Sequence, residues 1–458
     1  MQPNQIKKTW WLLLLVLAAL SASSFVPVFE LLGWQYKPVS LLSDLRQEII
    51  PEQLTELQDT ATLVLDSVVT EVQPTEKPLY PCPPGKVCIE DFSKDKSTLK
   101  GFFRALRQAK HSPVRIAFYG DSFIEGDVLC GSFRDTLQLL YGGTGVGFVP
   151  IASEVAQYRV SVQHTYTNWE AYSLVGKKSE AIELGISGHA FVPLPANEVE
   201  FKPARRPANS RFHQTGIFFK SRTENKIHYR VNDTLAFSSV LAPSDSVQYL
   251  SLPLTHAASL KISFENTDSL VVYGINFDNK NGVYVDNFAM RGNSGIGLAE
   301  LDTTCVQQFN HYLNYKLIFL QYGLNVVTET DSTDYSWYKA RMIKVVNRLK
   351  ALFPGTGIIL LGISDRAANL NGKIQTLPAI ARMRSAQRQI AQRTQIAYWD
   401  LFEAMGGENS IVTFAEAKPA LAAKDYTHLT FLGGRRLAKK LTDALLFEQT
   451  RYDKNANP

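Results

Sequence analysis

Gly120-Asp121-Ser122 closes a short apolar run, Val114-Arg-Ile-Ala-Phe-Tyr119, and stands ahead of a helical pattern. A serine there lies at the carboxyl edge of a parallel strand, where open α/β sheets bind ligands. Helix-start amides can stabilise negative charge beside it. The placement suits a nucleophile, although the same tripeptide also suits a helix cap. A nucleophilic hydroxyl needs a base, and the chain offers eight histidines. His111 precedes the first strand and His311 lies in a helical stretch, while His164, His189, His213, His228 and His256 fall in a region of different character. None of these seven follows a carboxylate by three residues, which points to surface or packing roles. His428 does, in Asp425-Tyr-Thr-His428, in a loop ahead of the final helix. One turn can present both side chains, so the carboxylate orients the imidazole and stabilises its cation. The order Ser…Asp…His is one of several in which this geometry occurs.

Acyl transfer also needs donors for an oxyanion. Gly292, in Asn287-Phe-Ala-Met-Arg-Gly-Asn-Ser-Gly295, follows a predicted strand and offers an unobstructed N–H. Asn325, in Gln321-Tyr-Gly-Leu-Asn325, follows the next strand and offers a side-chain amide. Each alone reads as turn chemistry. Together with Ser122 and His428 they all fall at strand ends or in the last loop.

The elements that must position them alternate. Strands are predicted at 114–119, 283–289, 316–321, 357–363 and 396–400, and helices at 126–141, 296–313, 335–353, 376–394 and 432–448. That rhythm predicts a parallel sheet covered on both faces. Residues from about 155 to 280 instead show short alternating runs such as Lys226-Ile-His-Tyr-Arg-Val231, which read as an all-β unit. One α/β domain is therefore interrupted by a β-rich insertion.

Gly120-Asp121-Ser122, Gly292, Gly323-Leu-Asn325 and Asp425-x-x-His428 resemble the four ordered blocks of the SGNH (GDSL) hydrolases, over residues 95–150 and 283–450. The resemblance implies a flavodoxin-like three-layer α/β/α hydrolase domain with an inserted all-β domain at 151–282. It also implies roles. Ser122 would be the nucleophile, His428 the base and Asp425 its orienting group, with Ser122 N–H, Gly292 N–H and Asn325 as the oxyanion hole. Phe123 stands where the family usually has Leu, and Val326 where an Asp often follows the block asparagine, so the Asn325 amide needs other support. Gly295 competes with Gly292, but aligning Asn287 with the family's strand-end Asn favours Gly292. No metal or organic cofactor is implied.

Composition fits this picture. Of 458 residues, 45% are apolar, which excludes disordered and collagenous classes, and a net charge of +5 is too weak to argue for nucleic acid. Lys7 and Lys8 precede a charge-free run from Trp10 to Leu20, followed by Ser21-Ala-Ser-Ser24 and a second apolar stretch to Phe29. Residues 1–30 thus read as a signal peptide, cut after Ser23, or as an anchor long enough to span a membrane. The lysines place the body on the extracytoplasmic side. Residues 31–94, acidic and proline-punctuated, read as a stalk. Cys82 and Cys88 bracket a turn-rich segment suited to a local disulfide in an oxidising compartment, whereas Cys130 and Cys305 read as buried thiols.

An exported hydrolase with this insertion is similar to peptidoglycan O-acetylesterases, so the expected substrate is an O-acetylated cell-envelope glycan. Lipase, thioesterase and exopolysaccharide deacetylase activities, or a non-catalytic glycan-binding protein, are the alternatives. The insertion carries Tyr158, Tyr166, Trp169, Tyr172 and Tyr229, suited to sugar stacking or to a core, and a basic cluster of Lys202, Arg205, Arg206 and Arg211.

Overall fold

The computed structural model describes Phe29–Leu31, Trp34–Tyr36 and residues 81–204, 212–254, 256–265, 267–330 and 333–456. The expected signal or anchor (apart from Phe29 and Glu30), most of the expected stalk, and Arg205, Arg206 and Arg211 lie outside the described residues. Phe29–Leu31 and Trp34–Tyr36 pair as an antiparallel hairpin, within a unit of its own at Met1–Glu76. No helix among the described residues is long and apolar enough to cross a membrane.

In the second unit, six strands build one sheet: β1 (Glu90–Asp91), β2 (Pro113–Gly120), β3 (Gly282–Ala289), β4 (Tyr315–Gln321), β5 (Gly357–Leu361) and β6 (Ala397–Trp399). Their spatial order is β3-β2-β4-β5-β6-β1, and all neighbours are parallel except the β6–β1 edge pair. Among the five parallel strands this is the flavodoxin-like order, whose ligand crevice opens where the chain direction reverses. Here that point lies between β2 and β4. The central strands β2, β4 and β5 are largely apolar runs buried almost throughout, as a sheet covered on both faces requires. Helices α1 (Lys100–Leu106), α2 (Cys130–Tyr141) and α6 (Phe431–Ala456) pack together. Helices α3 (Thr303–Leu313), α4 (Ser336–Leu352) and α5 (Ala379–Thr394) form the other group. The chain joins the sheet as early as Glu90. Just before it, Cys82 and Cys88 are disulfide-bonded, and Trp399 Nε1 donates to Val87 O at 3.0 Å.

Residues 147–278 supply a separate nine-stranded sheet, all of whose pairings are antiparallel. Some of its strands alternate buried and exposed positions, as in Asn225–Val231, while Leu270–Asp278 is buried throughout, and together they enclose a second core around Phe201, Ile217, Ile262 and Phe277. It is also fastened to the first sheet. Phe148 packs edge-on against Phe288 at 5.5 Å, Phe218 meets Phe309 at 5.4 Å, and Tyr119 Oη donates to Ile186 O at 2.8 Å. Arg115 of β2 is buried between Asp278 and Asp286 across the same junction.

Three local expectations change. The helix expected from 126 begins at Cys130, because Gly126 and Asp127 adopt positive φ (63° and 66°) in a 3-10 turn that turns the Asp127 carboxylate inward. The helix expected over 296–313 is broken, since Asp302 caps a fresh start by accepting from Cys305 N at 2.7 Å. A small hairpin, Ala367–Leu370 with Lys373–Thr376, was not anticipated.

Candidate active site

Ser122 lies one residue past β2, on a turn packed closely around position 120. A Cβ there would lie 2.6 Å from Ile124 Cδ1 and 3.1 Å from Gln321 O. The turn is fixed from three sides. Asp121 Oδ1 accepts from Phe123 N at 2.9 Å, and Asn287 Nδ2 of β3 donates to Ile124 O at 3.0 Å and to Asp127 Oδ1 at 2.8 Å. Asp127 also receives Arg134 Nη1 at 3.3 Å and the Ser161 hydroxyl, with Arg159 Nε at 3.9 Å. Burial alone would raise this carboxyl, but the two guanidinium groups, Ser161 and Asn287 hold it well below the usual carboxylate range.

His428 arrives on the loop before α6. Tyr426 takes a left-handed turn (φ 52°), Ala423 N donates to His428 O at 2.8 Å, and Ala422 bridges to Leu429. The paired glycines at the start of α6 explain how this loop reaches the serine. A Cβ on Gly433 would sit 1.9 Å from Leu421 O, and one on Gly434 2.0 Å from Val128 O, so only glycines let the helix close onto both backbones. The result is a continuous chain. Ser122 Oγ lies 2.9 Å from His428 Nε2, and His428 Nδ1 lies 2.7 Å from Asp425 Oδ2. Asp425 Oδ1 also accepts from the N–H groups of Thr427 and His428, each at 3.0 Å. Against the raising effect of burial, these donors hold Asp425 down at about 2, so it is an anion whenever the imidazole is in use.

Asn325 Nδ2 donates to Asn293 O at 3.2 Å. The amide is thereby tied to the segment carrying Gly292, one residue away. Gly292 has positive φ (75°) and open space where a side chain would be, whereas the Gly295 N–H is bonded to Asn293 Oδ1 at 2.8 Å. Of the two glycines, Gly292 has the free approach.

Support for Asn325, which Val326 cannot give, comes from two residues that sequence reasoning missed. Arg366 Nη1 donates to Leu324 O at 3.1 Å and Val327 O at 3.3 Å. Buried Gln387 donates to Tyr322 O at 2.7 Å and accepts from Ile363 N at 2.6 Å. Gln387 left a signal, being a polar residue on the apolar face of α5 between Met383 and Ile390. Arg366 left none. Asp121 is the other unanticipated feature. Complete burial pushes its carboxyl up to about 7, against the Phe123 N–H, His428 and Asn325.

The aromatics of the insertion separate by role. Tyr172 and Tyr229 are buried in the cores, Tyr158 is exposed, and Tyr166 and Trp169 line a cleft of about 430 Å³ between the two sheets. The other wall of that cleft includes Glu125 and Gly126, just past Ser122, and Ala289 to Arg291, just before Gly292. No group of three or more His, Cys, Asp or Glu able to hold a metal occurs among the described residues.

Fold and site together define a flavodoxin-like α/β architecture with a Ser–His–Asp chain at the switch point of the parallel sheet and a β-rich sheet alongside. No family model and no curated protein matches the sequence. Among solved structures, a peptidoglycan O-acetylesterase superposes with a TM-score of 0.65 at 21% identity, covering 79% of this chain and 99% of that one. At that identity the likeness shows a shared fold. A family two carbohydrate esterase from Cellvibrio japonicus (11% identity, 62% of this chain, 99% of that chain) also matches, but its TM-score of 0.28 carries no argument. The same holds for an acetyl xylan esterase at 16% identity, 35% and 81% coverage and TM-score 0.28.

Proposed function

We propose that the protein is an exported serine esterase that removes O-acetyl groups from a cell-envelope glycan such as peptidoglycan. The observation that carries this reading is the hydrogen-bonded chain from Ser122 Oγ through His428 to Asp425. His428 Nε2 takes the Ser122 proton as Oγ attacks the ester carbonyl, and Asp425 holds the imidazole tautomer and stabilises its cation. The oxyanion is met by the Ser122 and Gly292 N–H groups and the Asn325 amide. His428 then protonates the departing sugar hydroxyl. Water, deprotonated by the same imidazole, attacks the acetyl-enzyme and releases acetate.

A glycan substrate agrees with the cleft beside the serine, which mixes aromatic and charged side chains rather than forming a long apolar acyl tunnel. The peptidoglycan O-acetylesterase with the same fold supports the same direction. Export, with anchoring by residues 1–30, rests on the Lys7-Lys8 flank of the apolar run and agrees with the Cys82–Cys88 disulfide. The test is acetate release from O-acetylated peptidoglycan by the full chain and by Ser122→Ala. Release by wild type and its loss in the variant are expected. Equal release by both would overturn the mechanism, and hydrolysis confined to long-chain esters would overturn the substrate class.

A further inference from the structure

The cleft between the two sheets holds one charge that the catalytic chemistry does not use. Arg159 is set on the cleft wall by the β-rich segment, its side chain only 11% exposed. Its ion-pair partner is Asp127, at 3.9 Å, and no hydrogen bond ties its guanidinium among the described residues. Asp127 is already engaged by Arg134 Nη1 at 3.3 Å, by Asn287 Nδ2 at 2.8 Å and by the Ser161 hydroxyl. One buried carboxylate thus faces two buried guanidinium groups, so that buried cluster keeps one positive charge in excess, while exposed Glu154 adds a negative charge at the rim of the same cleft. The other cations there are balanced. Arg291 pairs with Glu125 at 2.5 Å, and Lys177 pairs with Glu170.

A guanidinium held in a partly dry cleft with unused donors is an anion site, and its planar fork matches a carboxylate. Exposed Glu154 also lines the cleft, and its repulsion of a dianion would be twice that of a single carboxylate. Tyr166 and Trp169, both half-buried, add flat apolar faces suited to a pyranose ring. Burial of the imidazole of His189 pushes it down to about 4, leaving a neutral partner for a hydroxyl. The volume, about 430 Å³, falls in the ordinary range for small-ligand sites, roughly 300–1,000 Å³.

We propose that this cleft seats the saccharide adjoining the ester-bearing sugar, and that Arg159 binds a carboxylate carried by that glycan. The inference rests on the esterase reading for the position of the ester, but it is tested by binding alone. The carboxylate has two sources, a uronate ring or the peptide stem of a muropeptide, and paired probes separate them.

Full-length Ser122→Ala protein is titrated calorimetrically with an O-acetylated uronate oligosaccharide and its carboxyl-reduced form. The same is done with an O-acetylated muropeptide and its carboxyl-amidated form. In one pair the carboxylate form is expected to bind about tenfold tighter or more. The pair that shows the preference identifies the source. Adding Arg159→Gln is expected to bring the two forms within about twofold. Equal affinity within both pairs would overturn the proposal, and so would a preference that survives Arg159→Gln. The comparison in Ser122→Ala alone decides the matter if the second variant does not fold. Failure of wild-type protein to hydrolyse aryl acetates would sink the esterase reading and leave these affinities to judge the cleft.

Discussion

Asn287 Nδ2 donates to Asp127 Oδ1 at 2.8 Å, so the strand that ends beside Gly120 grips the turn that carries Ser122. Through Asp127 the grip extends to Arg134 on α2 and to Arg159 and Ser161 at the start of the β-rich segment. The serine is thus held by both sheets at once.

Removing the charge at the centre of this grip leaves two guanidinium groups buried without a carboxylate. Asp127→Asn is expected to lower unfolding stability by about 3–5 kcal/mol, measured by denaturant titration at neutral pH. A loss below about 1 kcal/mol would mean that the network carries little strength.

Asp425 orients the imidazole, so Asp425→Asn should leave the backbone turn intact and favour the wrong tautomer. We expect kcat for an aryl acetate to fall by about 10³–10⁴ with KM little changed. Since the carboxyl is held down at about 2, wild-type stability from this contact is present above 3.8, its ordinary value, and is lost as pH falls towards 2. Between pH 5 and 9 Asp425 therefore stays ionised in the wild type, and the rate deficit of the variant should be present throughout that range.

Asp121 behaves in the opposite sense. Its ordinary value is 3.8 and its folded value about 7, so the unfolded chain releases the proton first. Stability should decline as pH rises between those values and then level off. Asp121→Asn keeps an acceptor for Phe123 N and removes the decline. It is expected to stabilise the protein at pH 8 by up to about 4 kcal/mol and by almost nothing at pH 4, as thermal melts across pH would show.

Asn325 and Arg366 should act as a unit. Asn325→Ala is expected to reduce kcat by about 10²-fold, and Arg366→Ala by about tenfold, because its clamp on Leu324 O and Val327 O is lost. The double variant should be no slower than Asn325→Ala, since Arg366 works through the amide. Multiplying effects would give Arg366 a separate role.

The Cys82–Cys88 bridge closes a short loop ahead of β1. Replacing both cysteines by serine should lower stability by about 2 kcal/mol, with aryl acetate turnover unchanged.

Much of this was legible in the sequence because it rests on local patterns. The alternation from Val114 to Trp399 announced the parallel sheet, and the period-two runs near Lys226 announced the second. Asp425 and His428 could be paired because three residues separate them in one loop. Ser122 and Asn325 could be placed because each follows an apolar strand. The supports were hidden because they act across long sequence separations. Arg366 reaches back to carbonyls near 325, and Arg159 and Ser161 reach Asp127 from the loop that leads into the β-rich sheet. The Asp121 carboxyl lies near enough to Tyr322 and Tyr338 for its charge to push their hydroxyls up, a proximity that no local pattern announces. The basic cluster at Arg205, Arg206 and Arg211 lies outside the described residues.

The central claim is that Ser122 becomes acylated. It is tested most directly by treating the full chain with an active-site phosphonylating ester and mapping the adduct by peptide mass spectrometry. The account predicts a single stoichiometric adduct on Ser122, greatly slowed in His428→Ala and absent from Ser122→Ala. An unmodified Ser122, or equal labelling of Ser122→Ala at another residue, would contradict it.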